Sequence, residues 1–378
     1  MNLITPPLRI AIVANIAWNI YNFRQSLIQH LLSQGFELVL IAQEDEYSSR
    51  LRDLGCRFVA LEHLSRKGTN PIQDFRLILE LKRIYQQYQI NIALHFTIKA
   101  NIYGAFAASW AGIKCLSVVT GLGYTFLHHN ITARIARFLY KIAFKNVDTV
   151  VFQNANDQEL FIKQLLCKPR QTVLIRGSGI NCNKFSPSTT FSYLKCPFRF
   201  LFVGRLLYDK GIREYLQAAR AVKKQLGAAV EFYILGELDY QNPAAVSDTE
   251  LQNYVSNQEV IYVGKTDEVL AYIQNAHVVV LPSYREGLPR VLLEAAAAAK
   301  PIITTTAAGC IDMVYNNENG ILVAAQSTKE LANACLELYH KTEAELIIMG
   351  EAGRNYVINN FSDAIICQQF SELILKNS

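Results

Sequence analysis

Short apolar runs alternate with amphipathic stretches of helical period along most of this chain. Runs beginning at Arg9, Glu37, Cys56, Asn91, Cys115, Asp148 and Thr172 read as strands, and 22–34, 71–88 and 155–167 are the clearest helices between them. Strands separated by helices in this way predict a parallel sheet covered on both faces. After Gly177-Ser178-Gly179, the stretch 180–197 loses its periodicity and gains Asn, Ser and Pro, which predicts a linker. Alternation resumes from 198 to 341, and a final helical stretch is expected at about 343–376. The expected fold class is therefore α/β, with two Rossmann-like domains whose parallel sheets face a cleft.

Composition agrees with that plan. A chain of 378 residues is long enough for two domains with full cores. Hydrophobic residues make up 51% and the mean hydropathy is +0.12, yet no run approaches the ~18 apolar residues of a membrane span. Residues Met1 to Leu8 do not read as a signal peptide, because Pro6 and Pro7 lead straight into a strand. Eight cysteines lie scattered, without a Cys-x-x-Cys pair or a His at zinc spacing, as thiols do in a reducing cytosol. Charge is uneven. Residues 1–178 hold 20 Lys plus Arg against 11 Asp plus Glu, and residues 179–378 hold 17 against 21. The first half thus favours an anionic partner. Nucleic acid is not that partner, since the basic residues do not interleave with a stacking platform.

The most informative stretch is Arg285-Glu286-Gly287-Leu288-Pro289-Arg290-Val291-Leu292-Leu293-Glu294, which follows the apolar run Val278 to Leu281 and the break Pro282-Ser283-Tyr284. Pro289 suits a first helical turn, so a helix is expected from there through Ala299, with Glu294 inside it and Glu286 in the loop over its N-terminus. Helix N-termini attract phosphate and carboxylates accept sugar hydroxyls, a combination that fits a phosphorylated sugar. The bare spacing alone also fits two solvated charges. Upstream, the strand Phe198 to Val203 runs into Gly204-Arg205-Leu206-Leu207-Tyr208-Asp209-Lys210-Gly211, where glycine permits a tight turn and Arg205 and Lys210 supply cations suited to a diphosphate. Two merely solvated cations remain the alternative.

Together these segments resemble the donor site of the family-4 retaining glycosyltransferases, which have the GT-B fold. Gly264-Lys265-Thr266-Asp267, Gly309-Cys310-Ile311-Asp312 and Asn319-Gly320-Ile321-Leu322-Val323 extend the resemblance over about residues 196–325, with Asp312 where the family usually has Glu. The resemblance implies that Arg205 and Lys210 hold the leaving diphosphate, Glu286 the donor sugar and Glu294 the ribose, with Gly204, Lys265, Thr266, Gly287, Leu288 and Pro289 lining the donor site. It further implies an acceptor-binding domain at 1–178, a nucleotide-sugar domain at 179–355 and a C-terminal helix at 356–378 that packs back on the first domain. No Asp-x-Asp pair is present, so no metal and no cofactor are expected, and the UDP-sugar is a substrate.

On the acceptor side, the loop holding Trp18, Tyr21 and Asn22 lacks the glycine pair of many relatives. Its rings would line an acceptor pocket or simply pack on the domain. Lys99 and Asn101 follow a strand and are expected to face the cleft, whereas His95 reads first as a structural residue. Thr97-Ile98-Lys99 and Val119-Thr120-Gly121-Leu122-Gly123-Tyr124 are similar to a bacterial subgroup that extends lipid-linked oligosaccharides. Thr120 stands where most members carry His, a role not transferred to His128 or His129. Finally, Arg134, Arg137, Lys141 and Lys145 share one helical face beside Ile135, Phe138, Leu139 and Ile142. That face is either solvated or rests on anionic lipid. The expected activity is transfer of a hexose or N-acetylhexosamine from a UDP-sugar to a lipid-linked saccharide in surface polysaccharide or glycan synthesis, at the cytoplasmic side of a membrane. A GT-B sugar-nucleotide epimerase or hydrolase, or a non-catalytic sugar-nucleotide-binding subunit, is the alternative.

Overall fold

The computed structural model describes residues 7–64, 70–122, 131–189, 197–240, 242 and 244–378. The segment with Gly123, Tyr124, His128 and His129 lies outside them. The chain forms two compact units, one of Met1–Gly179 with Asp363–Ser378 and one of Ile180–Ser362.

In the first unit, β1 (Arg9–Ile16), α1 (Ala17–Ser33), β2 (Glu37–Gln43), α2 (Ser48–Arg52), β3 (Arg57–Ala60), α3 (Pro71–Gln87) and β4 (Ile92–Phe96) lead to a single π-helical turn at Ala100–Gly104. Then come α4 (Ala105–Ala111), β5 (Lys114–Val119), α5 (Ile131–Ala143), β6 (Thr149–Phe152), α6 (Ala155–Lys163) and β7 (Thr172–Leu174). The strands form a parallel sheet in the order β3-β2-β1-β4-β5-β6-β7. The inner strands are mostly apolar at their centres because both of their faces are covered. Ala11 and Val13 of β1 face a core shared with α3, α4, α5 and α6. Ile10 and Ile12 face the opposite core, shared with α1 and the C-terminal helix.

The second unit repeats the plan. It holds β8 (Phe198–Val203), α7 (Ile212–Leu226), β9 (Val230–Leu235), α8 (Asp248–Ser256), β10 (Ile261–Gly264), α9 (Val269–Asn275) and β11 (Val278–Leu281). They are followed by α10 (Arg290–Ala297), β12 (Ile302–Thr305), β13 (Gly320–Val323), α11 (Thr328–His340) and α12 (Glu343–Phe361). Its parallel sheet runs β10-β9-β8-β11-β12-β13. Phe200 and Phe232 stack at 4.8 Å beneath Tyr215, whose hydroxyl donates to the Phe200 carbonyl at 3.0 Å. Burying each of these rings contributes about 2 kcal/mol.

Three expectations shift. The helix expected from residue 22 begins at Ala17, because Asp45 caps it from the loop after β2. Pro289 is the extended residue before α10 rather than its first helical one, with ψ at 109°. The final helical stretch is broken at Ser362, which is extended and bridges to Ile180. The chain then returns to the first unit as α13 (Asp363–Lys376), where Ser26 Oγ donates to Asp363 Oδ2 at 2.5 Å and Phe370 meets Phe96.

Candidate active site

Three loops of the second unit converge on Glu286. Gly211 has φ +74°, and a Cβ there would lie 2.1 Å from the Pro282 carbonyl, so only glycine lets the loop after β8 close on the loop after β11. The Asp209 carbonyl accepts from Tyr284 N at 2.9 Å, which fixes the two loops to each other. Lys210 Nζ is thereby brought to donate to Glu286 Oε1, and Ser283 Oγ donates to the same oxygen at 2.8 Å. From the other side Glu286 N donates to the Ala308 carbonyl at 2.9 Å. A Cβ on Gly309 would fall 2.4 Å from the Glu286 carbonyl. Glu286 is therefore held by backbone and side chain together, with a cation beside it.

Arg205 stands nearer solvent and pairs with Asp239 at 3.5 Å, a contact that itself adds little stability. Glu294 lies on α10, where Arg290 Nε donates to its Oε1 at 3.0 Å. Burial raises the Glu294 carboxyl above the usual carboxylate range, and the Arg290 charge partly offsets this. Gly204 follows β8, packed so closely that a Cβ on Gly236 would sit 1.8 Å from its carbonyl. Lys265 and Thr266 follow β10, and Thr266 Oγ1 accepts from Glu268 N at 3.1 Å. Gly287, Leu288 and Pro289 carry the chain from Glu286 into α10, with Leu288 buried. Ser283 stands in the sequence as part of the Pro282-Ser283-Tyr284 break that precedes the Glu286 segment, with no role of its own. Its bond to Glu286 is visible only in the folded loop.

The first unit places its candidates where the chain reverses direction across the sheet, at the carboxyl ends of β1 and β4. Trp18 N donates to Asp45 Oδ2 at 2.8 Å, and the Trp18 ring meets Phe23 edge to face at 5.4 Å. Tyr21 packs on Tyr47, and Asn22 Nδ2 donates to the Trp18 carbonyl one turn earlier. Beyond β4, Thr97 has φ +79°, an uncommon value for a residue branched at Cβ. Lys99 Nζ binds Asp74 Oδ1 at 2.8 Å, and Tyr103 Oη donates to Asp74 Oδ2 at 2.7 Å.

Asn101 does not face outward. It is buried, and its amide donates to the Val118 carbonyl at 2.9 Å, tying the π turn to β5. Thr120 and Gly121 follow β5 and are half-buried, with Gly121 at φ +125°. His95 is buried between Tyr85 Oη, 2.8 Å from Nε2, and Cys115 Sγ, 3.4 Å from Nδ1. Burial brings its pKa down to about 3, so it is a neutral structural residue.

Residues 197–341 match the family described as Glycosyl transferases group 1, and residues 9–154 match Glycosyl transferase 4-like. The chain thus carries a Glycosyl transferases group 1 domain in its second half and a Glycosyl transferase 4-like domain in its first. It is 28% identical to the N,N'-diacetylbacillosaminyl-diphospho-undecaprenol alpha-1,3-N-acetylgalactosaminyltransferase of Campylobacter jejuni, over 98% of this chain and 100% of that one. It is 24% identical to the UDP-Gal:alpha-D-GlcNAc-diphosphoundecaprenol alpha-1,3-galactosyltransferase of Escherichia coli, over 88% of this chain and 87% of that one. The crystal structure of a glycosyltransferase from Rickettsia africae superposes with a TM-score of 0.81 at 18% identity, covering 99% of this chain and 100% of that one. At that identity the likeness is one of fold, and the fold is GT-B.

This glycosyltransferase carries its basic helix, α5, on the first unit. Arg134 and Lys141 are exposed and Arg137 is half-buried, while Lys145 is exposed on the 3-10 turn Phe144–Asn146 that follows. Phe138 is 63% exposed, and Ile131 and Ile135 are exposed beside it. Leu139 and Ile142 instead turn partly inward. Among the described residues no helix is long and apolar enough to cross a membrane.

Proposed function

We propose that this glycosyltransferase moves a hexose or N-acetylhexosamine, with retention of anomeric configuration, from a UDP-sugar to a lipid-linked saccharide in surface polysaccharide or glycan synthesis. The observation that carries the reading is the clamp on Glu286, in which Lys210 and Ser283 converge on one carboxylate oxygen. A carboxylate fixed in this way can accept donor-sugar hydroxyls without reorganising, and Lys210 is placed to meet charge that grows as the bond from the anomeric carbon to the diphosphate oxygen breaks. Arg205 would add a second cation to that diphosphate, and Glu294 would accept from the ribose hydroxyls. Gly204, Lys265, Thr266, Gly287, Leu288 and Pro289 would complete the donor site. The acceptor reading draws on the undecaprenol-linked substrates in the names of the two relatives. It assigns Trp18, Tyr21, Asn22, Lys99, Thr120 and Gly121 to the acceptor side.

The same reading puts the protein at the cytoplasmic face of a membrane, resting on anionic lipid through α5. Cations at such a surface contribute about 1 kcal/mol each, and Arg134, Lys141 and Lys145 are exposed for it. Incubation with a panel of UDP-sugars, with and without an undecaprenyl-diphosphate-linked saccharide, tests the activity. The expected result is UDP release that depends on the acceptor and on one donor. Release or isomerisation of the sugar without acceptor would instead make the protein a hydrolase or epimerase.

A further inference from the structure

Helices α3, α4 and α5 form one layer of the first unit. Their inward residues, among them Leu77, Ala108 and Tyr140, share a single core, and the π turn at Ala100–Gly104 touches both α3 and α5. Their outward side is unusual. Ile72, Phe75 and Leu79 recur at three and four residues along α3, and all are exposed, Phe75 by 51%. Trp110 of α4 is 47% exposed and meets Phe75 edge to face with centroids 6.2 Å apart. Contiguous exposed apolar residues mark an interaction surface, and Trp is favoured where one end of a side chain is apolar and the other wet.

Charge decides what the surface fits. Arg76 and Arg83 are exposed on α3, and residues 100–111 and 131–147 contain no Asp or Glu. The two acids of α3 are both engaged elsewhere. Asp74 is buried against Lys99 and Tyr103, and Glu80 accepts from the backbone N–H groups of Glu62 and His63. A second copy pairing through this face would set cations against cations, whereas an anionic bilayer complements them. We propose that Ile72, Phe75, Leu79 and Trp110 form a second lipid contact, inserted into an anionic membrane surface alongside α5. It rests on the membrane reading of α5 and extends that contact from one helix to a three-helix face.

The chain has two tryptophans, Trp18 and Trp110, so Trp18→Phe leaves Trp110 as the sole indole reporter. Mixed with vesicles of phosphatidylglycerol and phosphatidylcholine, this protein should co-float. Its emission should shift to the blue and be quenched by lipids brominated on their acyl chains. Phe75→Ser should weaken vesicle binding roughly tenfold, the loss of one buried aromatic side chain, with the circular dichroism unchanged because Phe75 is already exposed. Co-flotation with Trp110 still water-exposed overturns this inference and leaves α5 as the contact. Absence of co-flotation overturns both. Shielding of Trp110 in a concentration-dependent dimer without lipid would assign the face to a second copy and likewise overturn it.

Discussion

Lys210 and Glu286 lie 76 positions apart, yet the Lys210 ammonium donates to the Glu286 carboxylate because the Asp209 carbonyl and Gly211 bind their loops together. The pair brings a cation from one loop and a carboxylate from the other into one constellation. Replacing Lys210 or Glu286 with Ala should lower turnover by about 10² or more, since one lost transition-state charge contact costs ~3 kcal/mol. Steady-state rates at saturating UDP-sugar check this. A melting temperature close to wild type would show that the loss is catalytic.

Gly211 offers a backbone test of the same loops. Gly211→Ala puts a Cβ 2.1 Å from the Pro282 carbonyl and forces a left-handed φ on alanine, which costs more than ~1 kcal/mol. The loops must separate. Turnover should fall although no side chain of the pair is altered, and a variant with wild-type turnover would show that the loop closure is unnecessary.

Glu294 should separate binding from chemistry. Its Ala variant should raise the KM for the UDP-sugar with a smaller loss in kcat, as expected for an interaction made equally in the ground and transition states. Equal losses in kcat and kcat/KM would place Glu294 at the reacting bond instead.

His95 predicts the acid response of the first unit. Its folded pKa is about 3 against an ordinary 6.5, so between those values the unfolded chain binds a proton that the folded chain refuses. Stability present above pH 6.5 is therefore lost as pH falls towards 3, at ~1.4 kcal/mol per pH unit. Denaturation at pH 7 and pH 4.5 should show a loss from this residue of about 2–3 kcal/mol. His95→Gln should be less acid-sensitive by that amount, and an unchanged pH response would refute the assignment.

The legible and hidden parts of this molecule divide by the range of the interactions involved. Strands such as Phe198–Val203 and Val278–Leu281 are readable because a parallel sheet covered on both faces demands predominantly apolar runs, a local property. The loops that carry Lys210 and Glu286 are readable as loops from their glycines and charges. The start of α1 is not, because its cap, Asp45, stands 27 residues downstream of Trp18. Nor is the burial of Asn101, whose partner is a carbonyl of the next strand. The break at Ser362 is reinforced by a bridge to Ile180, 182 positions away, and its one local signal is a Ser placed just before a helix that opens with Asp363.

The central claim is tested most directly by the product formed from a ¹³C-labelled UDP-sugar and an undecaprenyl-diphosphate-linked saccharide. Mass spectrometry should show the lipid gaining one labelled sugar residue, and the anomeric ¹³C–¹H coupling should give the configuration of the donor. A labelled free sugar, or a product of inverted configuration, would contradict the account.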